Sequence, residues 1–122
     1  MLYSPVNPER LYEIIGPDEE PILECFEDFI THYPGVMEEI KTAVEMQDFN
    51  GLNNAAHKLK GALSYLAARP AFQAAEELEL AGKIQHKEGL DQKLARLKIL
   101  CGDVIEFMVN FKNPPSLMEP YE

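Results

Sequence analysis

His57 is the side chain best suited to act as a nucleophile here. It lies in the stretch Asn54-Ala55-Ala56-His57-Lys58-Leu59-Lys60-Gly61-Ala62-Leu63-Ser64. A free imidazole has a pKa of about 6.5, so a neutral ring nitrogen is available near neutral pH. Lys60 follows at i+3 and Lys58 flanks the other side, so positive charge stands where a group carrying two negative charges would arrive. That pattern suits a histidine that carries a phosphoryl group. The protein would need little machinery for this, because phosphoryl transfer depends on positioning and charge neutralisation. The plain alternative is a neutral surface histidine.

The element that must present His57 is an amphipathic helix. With His57 at zero and about 100° per residue, Ala55, Ala56, Leu59, Ala62, Leu63 and Leu66 fall between about 140° and 260°. Asn50, Asn53, Asn54, Gly61 and Ser64 fall within about 60° of His57, and Lys60 near 300°. His57 therefore centres the polar face, opposite a buried stripe. Gly61, one turn on, costs about 1 kcal/mol relative to Ala in a helix interior. A bare position there suits the close approach of another molecule to the ring, and Ser64 lies on the same partner-facing side.

The motif Ala56-His57-x-Leu59-Lys60-Gly61 resembles the signature of histidine-containing phosphotransfer (HPt) domains. Leu78-Glu79-x-Ala81 resembles the family's pattern on the next helix. Two departures stand out: Ala62 where the family often has Ser, and Ala67 where it often has Gly at the end of the site helix. The resemblance implies a four-helix-bundle carrier of two-component relays. Its partners would be a response-regulator receiver domain, a sensor histidine kinase, or both. It implies no cofactor on this chain, with magnesium expected on the receiver. It also makes Glu79 a candidate to hold the imidazole at Nδ1 and leave Nε2 free. A surface pair between Glu79 and Lys83 at i,i+4 is the competing reading.

Breaks and periodicities place the other elements. Asn7-Pro8 opens a short helix that Gly16-Pro17 ends. Ile22, Leu23, Phe26, Phe29, Ile30 and Tyr33 predict a helix over about 18–33, broken by Pro34-Gly35. A third helix follows, with Val36, Met37, Ile40, Ala43 and Val44 on one side. Asp48 caps the site helix, expected to end near Ala68. An alanine-rich helix with Phe72, Ala75, Leu78, Ala81 and Ile84 on its packing face runs from Pro70 to Lys87, closed by Gly89. Its small residues let it lie close to its neighbour. Leu90, Leu94, Leu97, Cys101, Val104, Met108 and Phe111 form a heptad seam. Leu100, Ile105 and Phe107 widen it into a core-facing stripe, which favours a bundle helix over a coiled-coil dimer.

The expected fold is all-α: an antiparallel up-down four-helix bundle with one or two short additional N-terminal helices. Residues 1–112 form a single domain and 113–122 a Pro-rich C-terminal tail. The protein is expected to be monomeric.

Bulk properties exclude other classes. The net charge of −10 argues against nucleic acid and anionic membrane surfaces as partners. Yet five basic and three acidic residues lie between Asn54 and Lys87, leaving six basic and eighteen acidic elsewhere. The candidate site is a weakly positive window in an acidic protein. No apolar run is long enough to span a membrane and no signal segment opens the chain, so a cytoplasmic location is expected. Cys25 and Cys101 read as buried reduced thiols. No histidine pair has metal-ligand spacing, and there is no glycine-rich nucleotide loop, so no kinase activity is expected. Two other function classes remain: a binding or scaffold module of the same fold that is never phosphorylated, and an unrelated bundle that dimerises through its last helix.

Overall fold

A computed structural model describes residues 4–112. The expected tail at 113–122 lies outside the described residues. The described residues form five helices: α1 (Pro8–Ile15), α2 (Glu19–Met46), α3 (Phe49–Tyr65), α4 (Arg69–Ile84) and α5 (Leu90–Lys112). No strand occurs among the described residues. Each of α2 to α5 packs on its sequence neighbours, and α5 closes back on α2. This is a four-helix bundle with one added N-terminal helix. No helix among the described residues is long and apolar enough to cross a membrane.

The expected break at Pro34-Gly35 is absent. α2 runs unbroken for 28 residues with Pro34 inside it. An interior proline removes one backbone hydrogen bond and costs about 3 kcal/mol. Against that stand Ile22, Phe26 and Phe29 before it and Met37, Ile40 and Val44 after it, all buried. Burying each such side chain contributes about 1.5–3 kcal/mol. Half-buried Tyr33 joins the two runs, so the stripe keeps helical phase across the proline. Pro34 itself sits on the exposed side.

Two helix starts, those of α1 and α3, are written locally. The Asn7 side chain accepts from the Arg10 N–H at 3.1 Å, and Asp48 accepts from the Gly51 N–H at 3.0 Å. The ends are not. α3 stops at Tyr65, short of Ala68, and α4 stops at Ile84, short of Lys87. Ala67 and Gln85 take left-handed conformations just past them, at φ 56° and 58°. Ala68 N–H then reaches the Leu63 carbonyl at 3.0 Å, and His86 N–H reaches that of Ala81 at 2.9 Å. Gln47 closes α2 in the same way, with Asp48 N–H on the Ala43 carbonyl at 2.9 Å. These are Schellman closures built on residues with a Cβ. Gly89 belongs to the start of α5, where its carbonyl accepts from Lys93 N–H at 2.9 Å.

The heptad seam of α5 faces its own chain: Leu90, Leu94, Leu97, Cys101, Val104 and Met108 are all buried. Phe107 and Phe111 pack edge-on against Phe26 of α2. Both thiols are free, Cys101 buried and Cys25 only half-buried. Ala62, Ile30 and Ile84, expected on apolar faces, are exposed.

The closest seam lies between α3 and α4. A Cβ on Gly82 would fall 2.6 Å from the backbone nitrogen of Asn53 and 2.7 Å from the Phe49 carbonyl oxygen. Only glycine permits that approach. Ala55, Ala56, Ala71, Ala74 and Ala75 are buried in the same two helices.

Candidate functional site

The α3–α4 seam brings Glu79 to His57. One helical turn before Gly82, the Glu79 backbone carbonyl accepts from Asn53 Nδ2 at 2.9 Å. One turn after Asn53, His57 Nδ1 stands 2.6 Å from Glu79 Oε2. An ionised carboxylate can only accept, so Nδ1 carries the proton and donates it, and Nε2 holds the free lone pair. The ring is 69% exposed, whereas Glu79 is 18% exposed. The acceptor is thus sheltered while the reactive edge faces solvent.

Lys60 grips the other carboxylate oxygen, with Nζ 2.6 Å from Glu79 Oε1. At 22% exposure it is less open than a polar-face residue was expected to be. Its ammonium also lies 5.9 Å from the centre of the Phe72 ring, whose face attracts cations. Partial burial pushes the Glu79 carboxyl upward, but hydrogen bonds from Lys60 and then His57, with their charges, outweigh it. The net result holds Glu79 below the ordinary glutamate range.

Lys58 takes no part in this cluster. It reaches Glu39 of α2 at 3.1 Å, so the two lysines diverge to opposite sides of the imidazole. A Cβ placed on Gly61 would meet nothing within 4 Å, so that position is open space rather than a packing contact. Ser64 is exposed and lines a cleft together with Gly61, Arg69 and Phe72. The pair between Glu79 and Lys83 does not form; Glu79 turns to His57 and Lys60 instead.

Two contributors carry no functional signal of their own in the sequence. Asn53, a polar-face residue, is the strap that sets the register of Glu79. Phe72, one of the apolar residues of α4, is the shelf under Lys60 and Arg69. Asn53 sits four residues before His57, on the same helix edge, which is the one local hint of its role. Among the described residues, no group of three or more His, Cys, Asp or Glu side chains could hold a metal ion.

An imidazole fixed at Nδ1 by a carboxylate, open at Nε2 and flanked by a lysine can accept an electrophilic phosphorus and stabilise the charged ring that results. The chain has no significant match among curated proteins or solved structures. The family model of the Hpt domain does match, over residues 24–107, a span that runs from α2 to near the end of α5 and includes every residue of the His57 cluster. The chain therefore belongs to the Hpt domain family, whose general task is histidine phosphotransfer in two-component signalling.

Proposed function

We propose that His57 accepts a phosphoryl group on Nε2 from a receiver-domain aspartyl phosphate or a sensor histidine kinase, and passes it on to a receiver aspartate. The observation that carries this reading is the 2.6 Å contact from His57 Nδ1 to a sheltered Glu79, which leaves Nε2 exposed beside the open Gly61.

In the accepting direction, the Nε2 lone pair forms a bond to phosphorus as the bond from phosphorus to the aspartate oxygen breaks. The aspartate leaves as a carboxylate and keeps the electron pair. The proton on Nδ1 stays between ring and Glu79. The positive charge that develops on the ring is then offset by the Glu79 carboxylate. The return step reverses these bond changes, and the charged ring is a good leaving group. Lys60 supplies positive charge one helical turn from the ring, and its contacts with Glu79 and Phe72 fix its position. Lys58, Gly61 and Ser64 form the surface against which the partner closes. Magnesium belongs to the receiver in this scheme.

The test is incubation with phosphorylated receiver domains from the same cell. The chain should take up label that is acid-labile and alkali-stable, as a phosphoramidate is. A chain that binds a receiver but never takes label from any receiver or kinase of that cell would be a scaffold module instead.

A further inference from the structure

α1 lies outside the segment shared with the family, yet it is anchored to the end of the site helix. Val6, just before it, is fully buried, and Asn7 N–H donates to the Ala67 carbonyl at 3.0 Å. That anchorage lays α1 beside the α3–α4 turn and encloses a cleft of about 590 Å³. Its walls include Asn7 and Arg10 from the α1 side, Gly61 and Ser64 from α3, and Arg69 and Phe72 from α4. Gly61, one turn from His57 on the same helix face, is one wall, so the cleft borders the open space beside the ring.

The charge of the cleft runs against that of the protein. The chain carries −10, yet among the described residues two guanidinium groups line the cleft and no carboxylate does. Arg69 stacks on Phe72, its guanidinium carbon 5.1 Å from the ring centre, and has no carboxylate partner among the described residues. Arg10 touches Glu13 at 2.8 Å, but both side chains are more than half exposed, at 62% and 66%. An exposed pair of that kind is readily exchanged for a better one. Guanidinium forks match a carboxylate in a planar, two-bond geometry.

We propose that the partner receiver domain sets an acidic side chain into this cleft, and that Arg10 and Arg69 thereby select which receiver His57 serves. This rests on the phosphocarrier reading above. A protein that brings its aspartate to Nε2 necessarily covers Gly61, and the cleft begins there. Because α1 is not part of the shared segment, it can differ between carriers without disturbing the phosphotransfer site.

The probe is the receiver domain that exchanges fastest with the wild-type chain. Arg10→Glu and Arg69→Glu should each raise its half-saturating concentration about tenfold, because a rim charge acts mainly on encounter. The salt dependence should flatten, the maximal transfer rate should hold, and preference among receivers should narrow. Lys98→Glu on α5 makes the same change in net charge and should behave as wild type. Unchanged half-saturation and salt dependence in both arginine variants would overturn the inference, provided wild-type transfer proceeds. So would losses that only track a fall in helix content, which would make α1 a structural strap. If wild type exchanges with no receiver at all, the phosphocarrier reading fails first and this inference with it.

Discussion

The chain carries two exposed histidines whose Nδ1 atoms are both held. His32 on α2 is 71% exposed and donates from Nδ1 to the Asp28 carbonyl at 2.8 Å, with the Asp28 carboxylate at 3.3 Å. His57 on α3 is 69% exposed and donates to Glu79 at 2.6 Å. Ring exposure does not separate them, and neither does a free Nε2. The acceptor does. Asp28 is 76% exposed and sits four residues back on the same helix, so water competes for the contact. Glu79 is 18% exposed, comes from another helix, and is held in turn by Lys60 and Asn53. The following residues differ as well. His57 has Lys60 and Gly61 at i+3 and i+4, whereas His32 has Gly35 and the half-buried Val36. A poised histidine needs an acceptor that the fold has already paid to position, a cation at hand and open space.

The largest effect should come from exchanging the two rings. His57→Gln should abolish phosphoryl uptake, and His32→Gln should leave the amount of acid-labile label at wild-type level. Quantifying phosphohistidine after incubation with a phosphorylated receiver checks both. Label retained in His57→Gln would collapse the distinction between the two sites.

Glu79→Gln keeps an acceptor but removes the charge. Single-turnover transfer should slow about 10- to 100-fold, equivalent to about 1.4–2.7 kcal/mol of barrier. Asp28→Asn beside His32 should change nothing. A companion effect is expected in acid. Because Glu79 is held below its ordinary range in the folded protein, its contribution to stability is present above the unfolded-state pKa and is lost as pH falls through the folded-state value. Thermal unfolding followed from neutral pH downward should therefore show a steeper acid limb for wild type than for Glu79→Gln.

Gly61 sharpens the contrast in open space. A Cβ there meets nothing, so Gly61→Ala should stabilise the fold by up to about 1 kcal/mol. Gly61→Gln should keep the melting temperature and block transfer, since a side chain one turn from the ring enters the path of the partner's aspartate. A lower melting temperature with normal transfer would mean that the glycine serves packing. Gly82 is the opposite case: Gly82→Ala drives a methyl into the α3 backbone and should cost about 1–3 kcal/mol while pushing Glu79 away from His57.

The smallest effect concerns how the two helices end. Gln47 closes the helix of His32 and Ala67 that of His57, both left-handed. Gln47→Gly should stabilise by up to about 1 kcal/mol, as the strain on an exposed Cβ is removed. Ala67→Gly should gain less, because the Ala67 methyl packs against the core and its loss offsets the relief. Comparing the two melting temperatures tests that difference.

What the sequence by itself determined about this protein is whatever repeats every three to four residues. The buried stripe of α3, the position of His57 opposite it, the caps at Asn7 and Asp48 and the seam of α5 are all local patterns. The continuity of α2 was legible too, since Phe29, Tyr33, Met37 and Ile40 stay in phase across Pro34. The Pro34-Gly35 pair is the opposing local signal, and the buried stripe overrides it. Tertiary structure decided the rest. The closures at Gln47, Ala67 and Gln85 carry no glycine to announce them; each is held by backbone hydrogen bonds that reach back into its helix. Whether Glu79 reaches Lys83 or His57 depends on the register of α3 against α4. That register is set where the Gly82 backbone meets Asn53, 29 residues away in sequence. Periodicity within a helix says which side chains share its face. It does not say which turn of the next helix lies alongside, and the chemistry of His57 depends on that turn.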